Sequence, residues 1–285
     1  MNFSTRPDPA AAEAPIGIFD SGVGALSVLR HIQARLPSEH LLCFCDSGHA
    51  PYGGKSDAQI IERTLAIAEF LLSKNVKAIV VACNTATAAA IEALRQHHPD
   101  LIIVGVEPGL KPAAVFSKSG RAGVLATAST LASSRFTALR DQISDTTGVT
   151  FLTQACVGLV EQIEKGDLSS PETAEMLERY VTPILRGGAD TLALGCTHYP
   201  FVQPLIETIA ERESTVPVTI IDTGEAVSRQ LERLLQQRGL QRFETREGSL
   251  QAFTTGSRAA LVQAFYRLLQ LAPRVTEVSA THTAA

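Results

Sequence analysis

No membrane span is legible in this sequence. No apolar run reaches the roughly 20 residues that a spanning helix needs. The first residues, MNFSTRPDPAAAEAP, are neither basic nor apolar enough for a signal peptide. With no export signal, a reducing cytoplasm is the expected compartment. The chain also lacks a basic excess. Lys and Arg number 25 against 29 Asp and Glu, a formal charge of −4, which argues against a broad nucleic-acid surface. It lacks tryptophan altogether, yet its apolar fraction of 45% is ordinary for a globular protein. Cysteines number five, at 43, 45, 83, 156 and 196. An odd count in a cytosolic-looking chain excludes a full disulfide framework. Any reactive thiol must be argued from its surroundings, because an isolated cysteine is by default a small buried apolar residue.

What is present is a regular alternation. At 285 residues the chain can form one large domain or two modest ones. Short apolar runs read as strands at 16–19, 41–45, 78–83 and 101–107. Amphipathic stretches at 26–36, at 56–75 and from Asn84 read as helices. Then the pattern restarts. Strands are expected at 121–127, 149–156, 191–196 and 218–223, with a last one at 250–256. Helices are expected near 130–143, over 171–188, from about Tyr199, and over 225–239. Strands that are apolar on both faces belong to parallel sheets covered by helices. The expected fold is therefore α/β, with two pseudo-symmetric domains facing one another. Residues 15–110 plus 220–271 would form the first and 111–219 the second. Residues 1–14 would be a disordered tail and 272–285 a flexible one.

Four segments carry candidate chemistry. Cys83, followed by Asn84 and Thr85, closes a buried strand where a helix begins. In open α/β sheets ligands sit beyond the carboxyl ends of the strands. A helix N-terminus there would hold a carboxylate and lower a thiol pKa. Cys196, with Thr197 and His198, has the same setting in the second half. The two segments, AIVVACNTATA and TLALGCTHYP, share the order strand, cysteine, threonine, helix start. Together they suit racemisation, which removes a proton from one face of a carbon and returns one to the other. A thiol, with a reference pKa of about 8.5, can be tuned toward that work.

The third segment is FDSGVGALSVL, with Asp20 and Ser21 directly after the first strand. Its Gly22-Val-Gly24-Ala-Leu-Ser27 is close to a dinucleotide-binding fingerprint, and Asp46 ends the next strand at the spacing of a ribose-binding acid. Three features oppose that rival. Serine replaces the last glycine, Asp20 stands where the pyrophosphate would approach, and the twin cysteines are left without a role. The fourth segment is the turn-rich loop DSGHAPYGGKS (46–56), whose backbone N–H groups at Tyr52 and Gly53 could hold an acidic substrate. Cys43 and Cys45 point to one face of a strand. They make half a metal site at best, with no second pair or spaced histidine, and are taken as core.

FDSGVGALSVL, APYGGKS, VVACNTATA, GVLAT and LGCTHYP, in that order, resemble the glutamate racemases of the aspartate/glutamate racemase superfamily. The resemblance runs from about Ile16 to Gly256. It implies two α/β domains with glutamate between them, Cys83 and Cys196 as the catalytic pair, and no pyridoxal phosphate or metal. It implies substrate contacts from Asp20, Ser21, Tyr52, Gly53, Asn84, Thr85, Thr127, Thr197 and His198. Assisting roles would fall on Asp20 beside the first cysteine, and on His198 with Glu164 beside the second. The family's D-glutamate feeds peptidoglycan synthesis. No nucleic-acid or membrane partner is implied, and a homodimer stays open. Three departures are visible. Ala25 stands for a common glycine and Phe136 for a tyrosine. ACVGLVEQIEKGD lacks a proline-rich turn, which leaves Glu161 as the alternative to Glu164. An aspartate or other amino-acid racemase of the same superfamily is the nearest alternative. A binding-only relative is disfavoured by the presence of both thiols.

Overall fold

The computed structural model describes residues 9–279. The first half runs α1 (Pro9–Glu13), β1 (Ile16–Asp20), α2 (Ala25–Arg35), β2 (Leu41–Cys45), α3 (Asp57–Leu72), β3 (Ala78–Val81), α4 (Asn84–His97) and β4 (Ile102–Gly105). The second runs α5 (Leu110–Phe116), β5 (Arg121–Ala126), α6 (Ala128–Ala132), α7 (Ser134–Thr147), β6 (Thr150–Ala155), α8 (Leu159–Glu164), α9 (Pro171–Arg186), β7 (Thr191–Gly195), α10 (Gln203–Glu213) and β8 (Thr219–Ile221). The chain then returns through α11 (Gly224–Gln237), β9 (Leu250–Thr254), α12 (Arg258–Leu269) and β10 (Arg274–Glu277). The strands form two parallel sheets, ordered β10-β9-β2-β1-β3-β4 and β6-β5-β7-β8.

Alternation along each strand sends side chains to opposite faces. Ile16 and Ile18 of β1 pack with Leu26 and Leu29 of α2 and Leu231 and Leu235 of α11. Phe19, on the other face, packs with Ile60 and Ile67 of α3 and Ile91 and Leu94 of α4. Cys43 and Cys45 lie fully buried in the first of these layers, as core. In the second half Val124 faces Phe136 and Ile143 of α7. Leu192 and Leu194 face Leu177 and Val181 of α9 and Ile206 of α10. Each sheet is thus covered on both faces, as its apolar strands require.

Several helix starts follow from local chemistry. Ser56 and Gln59 form a capping box on α3, and Ser170 with Pro171 opens α9. The helix expected over 130–143 is two. Ser133 interrupts it and caps α7, its Oγ accepting from the Phe136 N–H at 3.1 Å. The helix expected from Tyr199 starts as a 3₁₀ turn, with Pro200 in its first turn, and α10 begins only at Gln203.

Both tails need correction. Residues 9–13 form α1, held where Lys77 Nζ donates to the Ala12 carbonyl at 2.6 Å and Arg242 Nε donates to Glu13 Oε2 at 2.8 Å. Residues 274–277 form β10 on the edge of the first sheet, with Val275 in the core. The remainder of the two tails, 1–8 and 280–285, lies outside the described residues. The second sheet also extends past 219, since Ile220 and Ile221 pair with Leu192 and Ala193 of β7. The return to the first half therefore falls at Asp222. Among the described residues no helix is long and apolar enough to cross a membrane.

Candidate active site

The carboxyl ends of the two sheets converge on one cavity of about 200 Å³. That is below the roughly 300–1,000 Å³ of sites for drug-sized ligands, so a small metabolite is the matching occupant. Asp20 and Ser21 enter it from the end of β1, Cys83, Asn84 and Thr85 from the β3–α4 junction, and Tyr52 and Gly53 from the loop after β2. Opposite them stand Thr127 after β5 and Cys196, Thr197 and His198 after β7. All of these residues were candidates from sequence, and the fold brings them together. Among the described residues, none that line the cavity is Arg or Lys. Both amide atoms of Asn84 are buried without a hydrogen-bond partner in the protein, which is costly unless a ligand completes them.

Cys83 is itself the N-cap of α4, its Sγ accepting from the Ala86 N–H at 3.4 Å. Its thiol donates to Ser21 Oγ at 3.8 Å, and Ser21 Oγ donates to Asp20 Oδ1 at 2.9 Å. Asp20 also accepts from Thr197 Oγ1 of the other half at 2.7 Å. The sequence expectation of a lowered thiol pKa at Cys83 is overturned. Burial, and next the charge of Asp20, push this thiol well above its ordinary value, and the Ala86 N–H offsets only part of that. Asp20 is raised too, by burial, against the opposing influence of His198, Thr197 and Ser21.

The second thiol has a different neighbourhood. Cys196 Sγ lies 3.8 Å from His198 Nδ1, and His198 Nε2 is 2.6 Å from Glu164 Oε1. Burial opposes charging the imidazole. The contacts with Cys196 and Glu164 outweigh it and hold His198 well above its usual pKa. Of the two glutamates left open by the sequence, Glu164 pairs with His198, while Glu161 is an exposed residue at the cavity wall. Asp46 is no ribose acid. It is fully buried and accepts from Tyr52 Oη at 2.6 Å and from Arg63 Nε and Nη2 at 3.1 and 2.9 Å.

Three residues at or beside the cavity were not site candidates from sequence. Cys156, after β6, lines the cavity, and burial pushes its thiol up. Thr130 joins Thr85 and Thr127 in a hydroxyl cluster, at 3.4 and 2.9 Å respectively. The hydroxyl of Ser129 donates to the Gly53 carbonyl across the cleft. The T-A-S-T run after β5 was the available signal, since clustered hydroxyls at a strand end are capping and binding material. Among the described residues no group of three or more His, Cys, Asp or Glu is placed to hold a metal ion.

Residues 23–231 match the family model described as Asp/Glu/Hydantoin racemase. A glutamate racemase from Pseudomonas syringae pv. tomato is 52% identical over 236 residues, covering 83% of this chain and 84% of that one. Among solved structures, a glutamate racemase isoform from Bacillus anthracis superposes with a TM-score of 0.84 at 30% identity, covering 94% of this chain and 98% of the other. The Francisella tularensis glutamate racemase, solved in complex with D-glutamate, gives 0.81 at 27% identity, with coverage of 94% and 98%. The chain belongs to the Asp/Glu/hydantoin racemase family.

Proposed function

We propose that this protein interconverts L- and D-glutamate by proton transfer between two opposed thiols. The observation that carries the reading is that Cys83 and Cys196, from equivalent strand ends of the two halves, line one small cavity. The substrate α-carbon lies between them. One sulfur, as thiolate, takes the α-proton: the C–H bond breaks and an S–H bond forms. The other, as thiol, gives its proton to the opposite face of the carbanion. The two then hold the reverse protonation states, ready for the other enantiomer. Asp20 acts on Cys83 through Ser21, and the Glu164–His198 pair acts on Cys196. By the family resemblance Cys83 takes the proton from D-glutamate and Cys196 from L-glutamate.

The substrate is gripped by neutral donors. Asn84, Thr85 and Thr127 supply amide and hydroxyl groups, the loop at Tyr52 and Gly53 supplies backbone, and Thr197 adds a second-half hydroxyl. Such a site accepts a carboxylate without an arginine, and neither metal nor pyridoxal phosphate enters the steps described. The known relatives support glutamate over aspartate as the substrate, and the D-glutamate formed would serve peptidoglycan synthesis. Polarimetry on purified protein tests the reading. The optical rotation of L-glutamate and of D-glutamate should each decay to zero, with aspartate little changed. Racemisation of aspartate but not glutamate would move the protein to another branch of the family. No racemisation of any amino acid would make it a binding-only member.

A further inference from the structure

The glycine loop after β1 resembles a phosphate-binding turn, yet what fills it is a carboxylate and an imidazole from the opposite half. Val23 N–H donates to Glu164 Oε1 at 2.7 Å, and the same oxygen is 2.6 Å from His198 Nε2. A Cβ on Gly22 would run into Glu164 Oε1. A Cβ on Gly24 would run into Asp20 Oδ2 and come within 2.6 Å of both His198 Nδ1 and Thr197 Oγ1. Neither glycine has the positive φ that would by itself demand glycine, and Gly24 is right-handed helical at φ −54°, ψ −31°. The backbone at both positions accepts an L residue. At Gly22 what excludes a side chain is Glu164 of the second half; at Gly24 it is Asp20 of the first half together with His198 and Thr197 of the second.

We propose that Gly22, Val23 and Gly24 are positioning residues for the Glu164–His198 pair, so that the apparatus serving Cys196 is completed by the first half. The inference rests on the two-thiol reading above. The carboxylate oxygen sits between one donor from each half. The Val23 N–H fixes where Glu164 stands, Glu164 fixes the ring of His198, and His198 faces Cys196. The positive dipole end of α2, which begins at Ala25, suits a carboxylate at this place. Separation of the halves removes the Val23 donor and leaves Glu164 to its histidine alone. Facing His198 are Asp20 and Thr197 as well as Glu164 and Cys196, so a shift of Glu164 also disturbs the link to the Cys83 side.

The test is a double-mutant cycle between Gly22→Ala and Glu164→Ala, read as kcat for glutamate in each direction. The added methyl must displace the carboxylate, and misplacement of about 1 Å at a catalytic group costs on the order of 100-fold. Gly22→Ala should therefore lower kcat by that order in the otherwise native enzyme. In the Glu164→Ala background, where the space is empty, the same methyl should change kcat less than about twofold, a non-additivity expected of groups in contact. Primary isotope effects add a readout that general loosening would not move. In Gly22→Ala the α-deuterium effect should rise with deuterated L-glutamate and stay near the native value with deuterated D-glutamate. Native-like kcat in Gly22→Ala, equal losses in both backgrounds, or isotope effects that rise equally for the two enantiomers would overturn the inference. If the native enzyme racemises glutamate and these results appear, only the positioning role fails. If the native enzyme does not racemise glutamate, the underlying reading fails instead.

Discussion

Two thiols of the same residue type are set in unlike surroundings, and that difference drives the residue-scale expectations. Cys83 is pushed up by burial and by Asp20, while Cys196 faces an imidazole whose own pKa is raised. On the proposed two-thiol mechanism each thiol serves one face of the substrate, so Cys83→Ala and Cys196→Ala should each lower kcat/KM by at least about 100- to 10,000-fold, the range of a general acid or base. Because enantiomers are equal in free energy, the loss in kcat/KM must be the same in both directions. Circular dichroism should show both variants folded, and a variant with near-native turnover would remove its thiol from the mechanism. The His198 contacts also make a stability prediction. A folded-state pKa raised above the unfolded value of about 6.5 gives stability that is fully present below that value and is lost as pH rises through the folded one. Glu164→Gln weakens that pairing, so the melting temperature of the variant should fall below wild type on the neutral and acid side and approach it at high pH. A constant gap across pH would contradict this. The cysteine, threonine and histidine residues were legible because each follows a buried strand, where α/β sheets bind ligands. Whether 161 or 164 assists was not, because both fit the sequence. The choice depends on which turn of α8 meets His198.

Among elements, the buried strands read clearly because parallel strands covered on both faces must be continuously apolar. The short helices α5 and α8 did not, since each has one or two turns and starts at a left-handed glycine, Gly109 or Gly158, that reads as a loop. β10 escaped notice because a four-residue edge strand in which Val275 is buried while Arg274 and Glu277 are exposed carries little hydrophobic signal. The loop after β2 gives the element-scale prediction. Asp46 ties it to α3 through Arg63, to Tyr52 within the loop, and to Thr255 beyond β9, where Thr255 Oγ1 donates at 2.7 Å. Asp46→Ala leaves Arg63 without that carboxylate and should cost about 3 kcal/mol or more of stability, as measured by urea unfolding. It should also raise KM for glutamate more than it lowers kcat, because the loop carries Tyr52 and Gly53 into the cavity. A loss within about 0.5 kcal/mol, the usual range for an incidental surface change, would show that the loop is held by other contacts.

At the scale of the whole molecule, the two halves face one another across the cleft, and the chain returns to the first half after β8. There Asp222 accepts from Arg30 Nη2 at 2.7 Å and the Gly224 N–H at 2.8 Å, and lies 3.0 Å from His31 Nε2. Burial would raise its pKa, but these partners win and hold it below the ordinary carboxylate value. A depressed pKa gives stability that is present above the unfolded value of about 3.9 and lost as pH falls through the folded one. Asp222→Asn should therefore unfold more readily than wild type near neutral pH, by about 1–3 kcal/mol, with the difference shrinking in strong acid. A difference that does not depend on pH would assign the effect to shape rather than charge. Apposition of the halves is what makes two strand-end thiols into one site, and the central claim is that they work as opposed bases. Racemisation started from L-glutamate in deuterium oxide tests it most directly. With two bases, the abstracted proton stays on one thiol while the other delivers solvent-derived deuterium. The D-glutamate formed early should then carry deuterium at the α-carbon while the remaining L-glutamate stays protiated. Early D-glutamate that is mostly protiated would mean that one group returns the proton it took, and would contradict the opposed-thiol mechanism.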